Sequence, residues 1–341
     1  MDVEPPVKVE DQYVHSSPSF SSTSQLPPQL LALVMDNADV VFLWIGPGPD
    51  GRPEFYSSTE FVFQRPQQFL YGNFGAHMAV DPSSRYIAIS SFHGLFAVGE
   101  LEAPANFAQP QDENSTGIVK SFRLRGVPGV IQSLTFLYPR PEDKDHIILL
   151  LIVVNKNKSR MVIYEWTLGD NLATVFAEEK RGHTLPVEHQ MPQLLIPLTV
   201  GSAFIAISPE QVAVCTESLH GPPTFESLEL DAPPKSPNYY GTGEPLWTAW
   251  DRPYRLPAFL KGKDCLYLAR EDGIVVYIEV DEDHALERST FIDAFKCNIS
   301  SAFTYLFDQY ADVLVLGSDN GTGSVWKVCR TSRTFAYGVF D

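Results

Sequence analysis

The run Asp281-Glu282-Asp283-His284 is the densest group of metal-capable side chains in the chain. Three carboxylates and an imidazole have the chemistry to hold a divalent cation. Calcium loops, however, space their ligands at alternate positions around a glycine, and this run does neither. Consecutive carboxylates in a turn are expected to face water, so no metal is assigned. The stretch GSDNGTG from Gly317 has the glycine density of a phosphate loop. A phosphate loop also needs a lysine directly after it and a helix to follow. Here Ser324-Val325-Trp326 follows, so a hairpin turn is expected. No GxSxG, HExxH or Walker A pattern occurs, and His77 and His93, which flank one hairpin, are expected to serve turn or core. Asp and Glu fall mostly in turns, so no inward ring of carboxylates of the kind propeller hydrolases use can be assembled. No catalytic residue and no cofactor are assigned.

One cluster has the composition of a binding site. EPLWTAWDRPYRLP places Trp247, Trp250 and Tyr254 beside Arg252 and Arg255. Aromatic residues with arginine dominate protein–protein hot spots. The same tryptophans can instead open an inner strand and pack in the core; both readings stay open on the sequence. Two basic spots stand apart from it: Lys156, Lys158 and Arg160 in one turn, Arg123 and Arg125 in one strand. The net charge is −17, from 42 acidic against 25 basic residues. Gripping phosphates needs clustered Lys and Arg, so these spots are expected to be solvated surface, and nucleic-acid contact to be weak or indirect.

Cys215, Cys265, Cys297 and Cys329 form no CxxC pair, which excludes zinc ribbons and redox motifs. Reduced, buried thiols and an intracellular compartment are expected. The start, MDVEPPVKVEDQ, is acidic and polar where a signal peptide is basic and then apolar. The longest apolar run, residues 147–154, is far too short to span a bilayer.

The elements that would carry any site are strands. AVDPSSRYIAISSFHGLFAVGEL, from Ala79, contains two apolar strands joined by a short turn. Asp81 and Arg85 sit in the turn that leads in. Gly94 supplies the positive φ that a tight turn often needs, and at least one of Leu95 and Phe96 is expected to face the core. The hairpin recurs, starting near residues 30, 86, 147, 203, 265 and 312. The fifth turns at Asp272-Gly273. One hairpin every 40–60 residues or so is the signature of a β-propeller. Strands apolar on both faces, such as residues 147–154, imply sheets covered on both sides. The expected organisation is a disordered segment at 1–28, a propeller of four-stranded antiparallel blades at 29–330, and a tail or start of a further blade at 331–341. Residues 102–117, 178–190 and 216–245 are expected to be long loops.

Four segments, in order, resemble the first propeller of a large three-propeller scaffold family. That family includes the large subunits of the damaged-DNA-binding complex and of the cleavage and polyadenylation specificity factor, and splicing factor three-b subunit three. Val80-Asp81-Pro82 through Arg85, then Gly94-Leu95-Phe96, resembles the family's Asp-Pro…Arg…Gly-Leu-Phe strand pair. IQSLTFLY at 131–138, with the apolar hairpin ending at Tyr164-Glu165, resembles the next blade. The hairpin at 266–280, with Asp272-Gly273 at its turn, and the pair 298–305 and 313–326 resemble later ones. The resemblance covers about residues 30–328. It implies a seven-bladed ring, of which six hairpins make an incomplete set or a fragment. It also implies a non-enzymatic scaffold in a nuclear multi-subunit complex of the ubiquitin-ligase-adaptor, DNA-repair or pre-mRNA-processing kind, with other subunits as partners and no membrane contact. An RNA- or DNA-reading module and a propeller hydrolase are the alternatives. The WD-like ending at residues 317–327 does not recur in the other hairpins.

Overall fold

Val, Ile, Leu, Phe and Tyr in runs of four to eight, broken by Gly, Asp, Asn and Pro, leave the backbone little choice but strand and turn. A computed structural model describes residues 30–35, 39–47, 50, 52–62, 74–91, 94–101, 118–199, 201–208, 211–217, 219, 221–230, 234–237, 239, 241–253, 262–293, 299–306, 311–318, 323–329 and 335–338. The N-terminal segment 1–28, the loop 102–117, His93, Tyr254 and the last three residues lie outside this set.

Twenty-three strands form six antiparallel sheets in chain order. The first holds β1 (Leu31–Val34), β2 (Asp39–Pro47) and β3 (Pro53–Phe61). The second holds β4 (Phe74–Val80), β5 (Tyr86–Ser91), β6 (Leu95–Leu101) and β7 (Val119–Gly126). The third holds β8 (Val130–Leu137), β9 (His146–Asn155), β10 (Lys158–Thr167) and β11 (His183–Thr184). The fourth holds β12 (Leu194–Pro197), β13 (Phe204–Ile207), β14 (Val212–Glu217) and β15 (Thr224–Ser227). The fifth holds β16 (Trp247–Asp251), β17 (Asp264–Arg270), β18 (Ile274–Val280) and β19 (Leu286–Asp293). The sixth holds β20 (Ile299–Leu306), β21 (Ala311–Ser318), β22 (Gly323–Cys329) and β23 (Phe335–Gly338). Within each sheet neighbours in sequence are neighbours in space. The first strand of each sheet touches the first strand of the next, from β1 through β4, β8, β12 and β16 to β20. That is a propeller, with the first strands innermost.

The core is five separate layers, each between two successive sheets. Val40, Phe42 and Trp44 meet Ile87, Ile89 and Ala97 between the first and second sheets. The odd residues of β9 (Ile147, Leu149, Leu151, Val153) face the second sheet. The even ones (Ile148, Leu150, Ile152) face the fourth. A strand alternates its side chains between faces, so a sheet between two neighbours must be apolar at every position. This explains the unbroken run at 147–154.

The hairpins near residues 86, 147, 203, 265 and 312 are the second and third strands of their sheets, whereas the one near residue 30 is the first and second. The β9–β10 turn is closed by Lys156 and Asn157, at φ +50° and +60°, the two left-handed residues of a two-residue turn that matches strand twist. Residues 178–190, expected to be a loop on the surface, are corrected: they supply β11 and a 3-10 turn at Val187–His189. His189 is buried, its ring stacked 4.2 Å from that of Phe225. Ser159 N donates to Gln190 Oε1 at 2.6 Å. These contacts are long-range, so local polarity does not reveal them. Helix is limited, among the described residues, to that turn and to α1 (Leu172–Val175), capped by Asn171 Oδ1, which accepts from Ala173 N at 2.9 Å.

Candidate partner-binding site at the central channel

The inner strands β4, β8, β12 and β16 enclose a channel of about 400 Å³. His77, Gln132, Tyr138, Gln193, Trp250 and Arg252 are among its lining residues. Of the residues grouped on sequence alone, Trp250 and Arg252 are brought to one wall, whereas Trp247, at the start of β16, is not among the lining residues. Trp247 and Trp250 are half-buried and pack on the layer between the fourth and fifth sheets. The inner-strand reading thus holds for both, and each keeps an exposed part.

Arg252 is held firmly. Its Nε donates to Asp264 Oδ1 at 3.0 Å and its Nη2 to Asp264 Oδ2 at 3.2 Å and to the Pro197 carbonyl. Its guanidinium stands over the Trp250 ring at 5.2 Å and the Tyr138 ring at 5.6 Å. Thr199 N donates to the same Asp264 at 2.7 Å. One cation thereby ties the fifth sheet to the third and fourth. Trp247 is positioned similarly: its backbone N–H donates to Gln193 Oε1 at 2.9 Å, and the Arg270 guanidinium lies 5.7 Å from its ring.

Arg270 in turn makes a two-pronged pair with Asp272, at 2.8 and 2.6 Å. Asp272 also accepts from Ser236 N at 3.0 Å, and Arg270 donates to the Pro234 carbonyl at 3.2 Å. Burial alone pushes the Asp272 carboxyl upward. The Arg270 hydrogen bonds and charge, with the Ser236 and Ile274 N–H groups, outweigh it and hold the group below its ordinary value. A carboxylate depressed in the folded state stabilises the fold above its unfolded pKa, about 4, and that stabilisation is lost as pH falls through the lower folded value. The thermal midpoint of wild type should therefore exceed that of Asp272→Asn at neutral pH, and the difference should shrink below about pH 4. A pH-independent difference would show that the charge of Asp272 is immaterial.

Sequence reasoning did not single out Asp264, Arg270, Gln193 or Tyr138. A signal existed for the first two, because DCLYLAR begins and ends an otherwise apolar strand with opposite charges. A charged residue in a strand buried along its whole length is expected to have a partner.

The turn residues are also placed. Asp81 is buried; its Oδ1 accepts from Arg85 N at 2.6 Å and from Tyr86 N, and its Oδ2 from Ser83 N at 2.8 Å and the Ser83 hydroxyl. Ser84 takes φ +56°. Asp281 repeats this device: its Oδ1 accepts from Asp283 N at 3.0 Å and Ala285 N at 2.8 Å, with His284 at φ +66°. The carboxylate that began the metal-like run is engaged by turn amides. Arg85 reaches Asp145 at 4.0 Å, an exposed pair of small worth. Gly94 and Gly273 have φ +72° and +88°. Phe96 is fully buried and Leu95 packs partly on the opposite layer. His77, on the channel wall, is pushed below the ordinary imidazole pKa by burial, against a hydrogen bond with the Ile131 backbone that raises it. Among the described residues no three His, Cys, Asp or Glu side chains converge to hold a metal ion, and no helix is long and apolar enough to cross a membrane.

Comparison with protein-family models matches residues 12–336 to the family described as the RSE1/DDB1/CPSF1 first beta-propeller. Comparison with curated protein sequences found no match.

Proposed function

Because the chain belongs to the RSE1/DDB1/CPSF1 first beta-propeller family, we propose that it works as a non-enzymatic scaffold, presenting rigid blade surfaces to other subunits of a nuclear complex of the ubiquitin-ligase-adaptor, DNA-repair or pre-mRNA-processing kind. The single observation that carries this reading is the match across residues 12–336. The channel wall supports it, since Trp250 is an aromatic surface with an exposed part beside Arg252, the composition of an interface anchor, and Trp247 on the same strand is half-buried as well. Tyr254, two residues beyond Arg252, belongs to the same proposed contact.

The test separates binding from folding. Immobilised wild-type chain should retain a defined set of proteins from nuclear extract and should turn over no ester or lactone substrate. Trp250→Ala should lose a partner while remaining folded. Turnover that survives purification would put the hydrolase reading in its place. Arg252→Ala is expected to act on stability instead. It strands the buried Asp264, and with the Arg252 side chain 21% exposed the cost should be roughly 3 kcal/mol, the low end for breaking a buried pair. Urea denaturation measures it, and an unchanged midpoint would mean that Asp264 finds another donor.

A further inference from the structure

Two short stretches carry cations and no carboxylate: VKSFRLRG of β7 and NKNKSRM at residues 155–161. They lie in different sheets, and in a chain of net charge −17 each by itself looks like solvated surface. The strand registers put them together. Across β6 and β7, Arg125 lies opposite Phe96 and Arg123 opposite Val98. Residues directly opposite in an antiparallel pair share a face, and Phe96 and Val98 belong to the layer with which the second sheet packs on the third. Across β9 and β10, Arg160 lies opposite Val153 and Lys158 opposite Asn155. Val153, Val162, Tyr164 and Trp166 belong to that same layer, and the period of two carries Arg160 and Lys158 onto their face. Arg123 and Arg125 therefore lie on the second sheet's side of this layer, and Lys158 and Arg160 on the third sheet's side.

Between the two sets of cations the layer is a buried aromatic core. Phe96 stands 5.5 Å from Tyr164, and Tyr164 5.0 Å from Phe176, between ring centres. Burial raises the Tyr164 pKa, and Arg125 of the second sheet opposes that rise. Arg123, Lys158 and Arg160 are exposed and make no ion pair among the described residues. By contrast Lys120, on the same strand as Arg123, reaches Glu100 at 3.6 Å. Arg125 Nε donates to no acceptor among the described residues. The carboxylate that acts on Tyr164, Glu179, is followed directly by Lys180 and Arg181, so the four cations stay in excess.

We propose that this basic edge, shared by the second and third sheets, docks an extended, Asp/Glu-rich segment of a protein partner. The proposal rests on the scaffold reading and gives it a partner chemistry. Two arginines offer forked donors that match carboxylates. A few acidic side chains suffice to meet four cations. A nucleic acid draws its affinity from many phosphate contacts, and the rest of this acidic surface repels a long polyanion.

The test is fluorescence anisotropy with fluorescein-labelled deca-glutamate, and with deca-uridylate as a second probe. Wild type should bind deca-glutamate, several-fold more weakly in about 150 mM salt than in 50 mM salt. Arg123→Glu with Arg160→Glu should weaken binding at least tenfold, roughly the loss of one or two charge-assisted contacts, at an unchanged thermal midpoint. Arg123→Lys with Arg160→Lys should keep most of it. If the charge reversal lowers the midpoint, Arg123→Gln with Arg160→Gln provides the same comparison. Equal binding by wild type and the charge-reversed variant, no binding by wild type at low salt, or tighter binding of deca-uridylate would each overturn the proposal. The titration uses no subunit of any complex, so its failure leaves the scaffold reading standing.

Discussion

Gly94→Val should destabilise the chain by more than about 4 kcal/mol, beyond the range of ordinary point changes. Two independent causes act at this position. Gly94 has φ +72°, a conformation that a β-branched residue adopts only with strain. A Cβ there would lie 2.3 Å from the Gly129 carbonyl oxygen and 2.4 Å from that of Val127. Both obstacles are backbone, in the link from β7 to β8, and Val127 N already donates to Gly94 O at 2.6 Å. Neither sheet can yield without breaking that contact. Gly94→Ala should cost most of the same amount, because the clash begins at Cβ. Gly126→Ala is the control, since its Cβ meets only Gly94 O at 4.0 Å. Chemical denaturation of the three variants decides the matter: equal midpoints for Gly94→Ala and Gly126→Ala would show that the link moves freely.

Phe96→Ala should cost about 3–5 kcal/mol, the usual range for emptying a large aromatic site in a core. Phe96 is fully buried and touches Tyr164 and, edge-on at 5.7 Å, Phe176. Trp166 closes the cluster, 5.7 Å from Phe176 and 5.2 Å from Tyr86. These rings come from both sheets and from the residue that ends α1, so no single segment can move in to fill the space. The urea midpoint should fall with the slope unchanged. A loss under about 1 kcal/mol would mean that the cluster repacks around the vacancy.

The strand-and-turn pattern was legible in the sequence because its causes are local. Apolar runs, the glycine at 94, the aspartates at 81 and 272 and the near-regular interval of hairpins each act within a few residues. Stacked sheets then follow from strands that are apolar at every position. The same logic misplaced residues 178–190, whose polar composition concealed β11 and the buried His189. What pairs with them, β10, Ser159 and Phe225, lies twenty or more residues away along the chain.

By itself the sequence determined that the chain is built of repeated antiparallel hairpins, and it brought Trp247, Trp250 and Arg252 together because they lie on one short stretch. Only the tertiary structure decided what those residues do. Arg252 closes on Asp264, which opens the next strand, and on Pro197 of the neighbouring sheet, so a residue with the composition of a contact serves as a tie between blades. Conversely, two basic spots in different sheets were set on facing sides of one layer. The physical reason is the same in both cases. Which side of a strand a residue occupies is a local alternation, readable in sequence, whereas what it faces depends on the sheet stacked against it, and that is set only when the blades pack around their common axis.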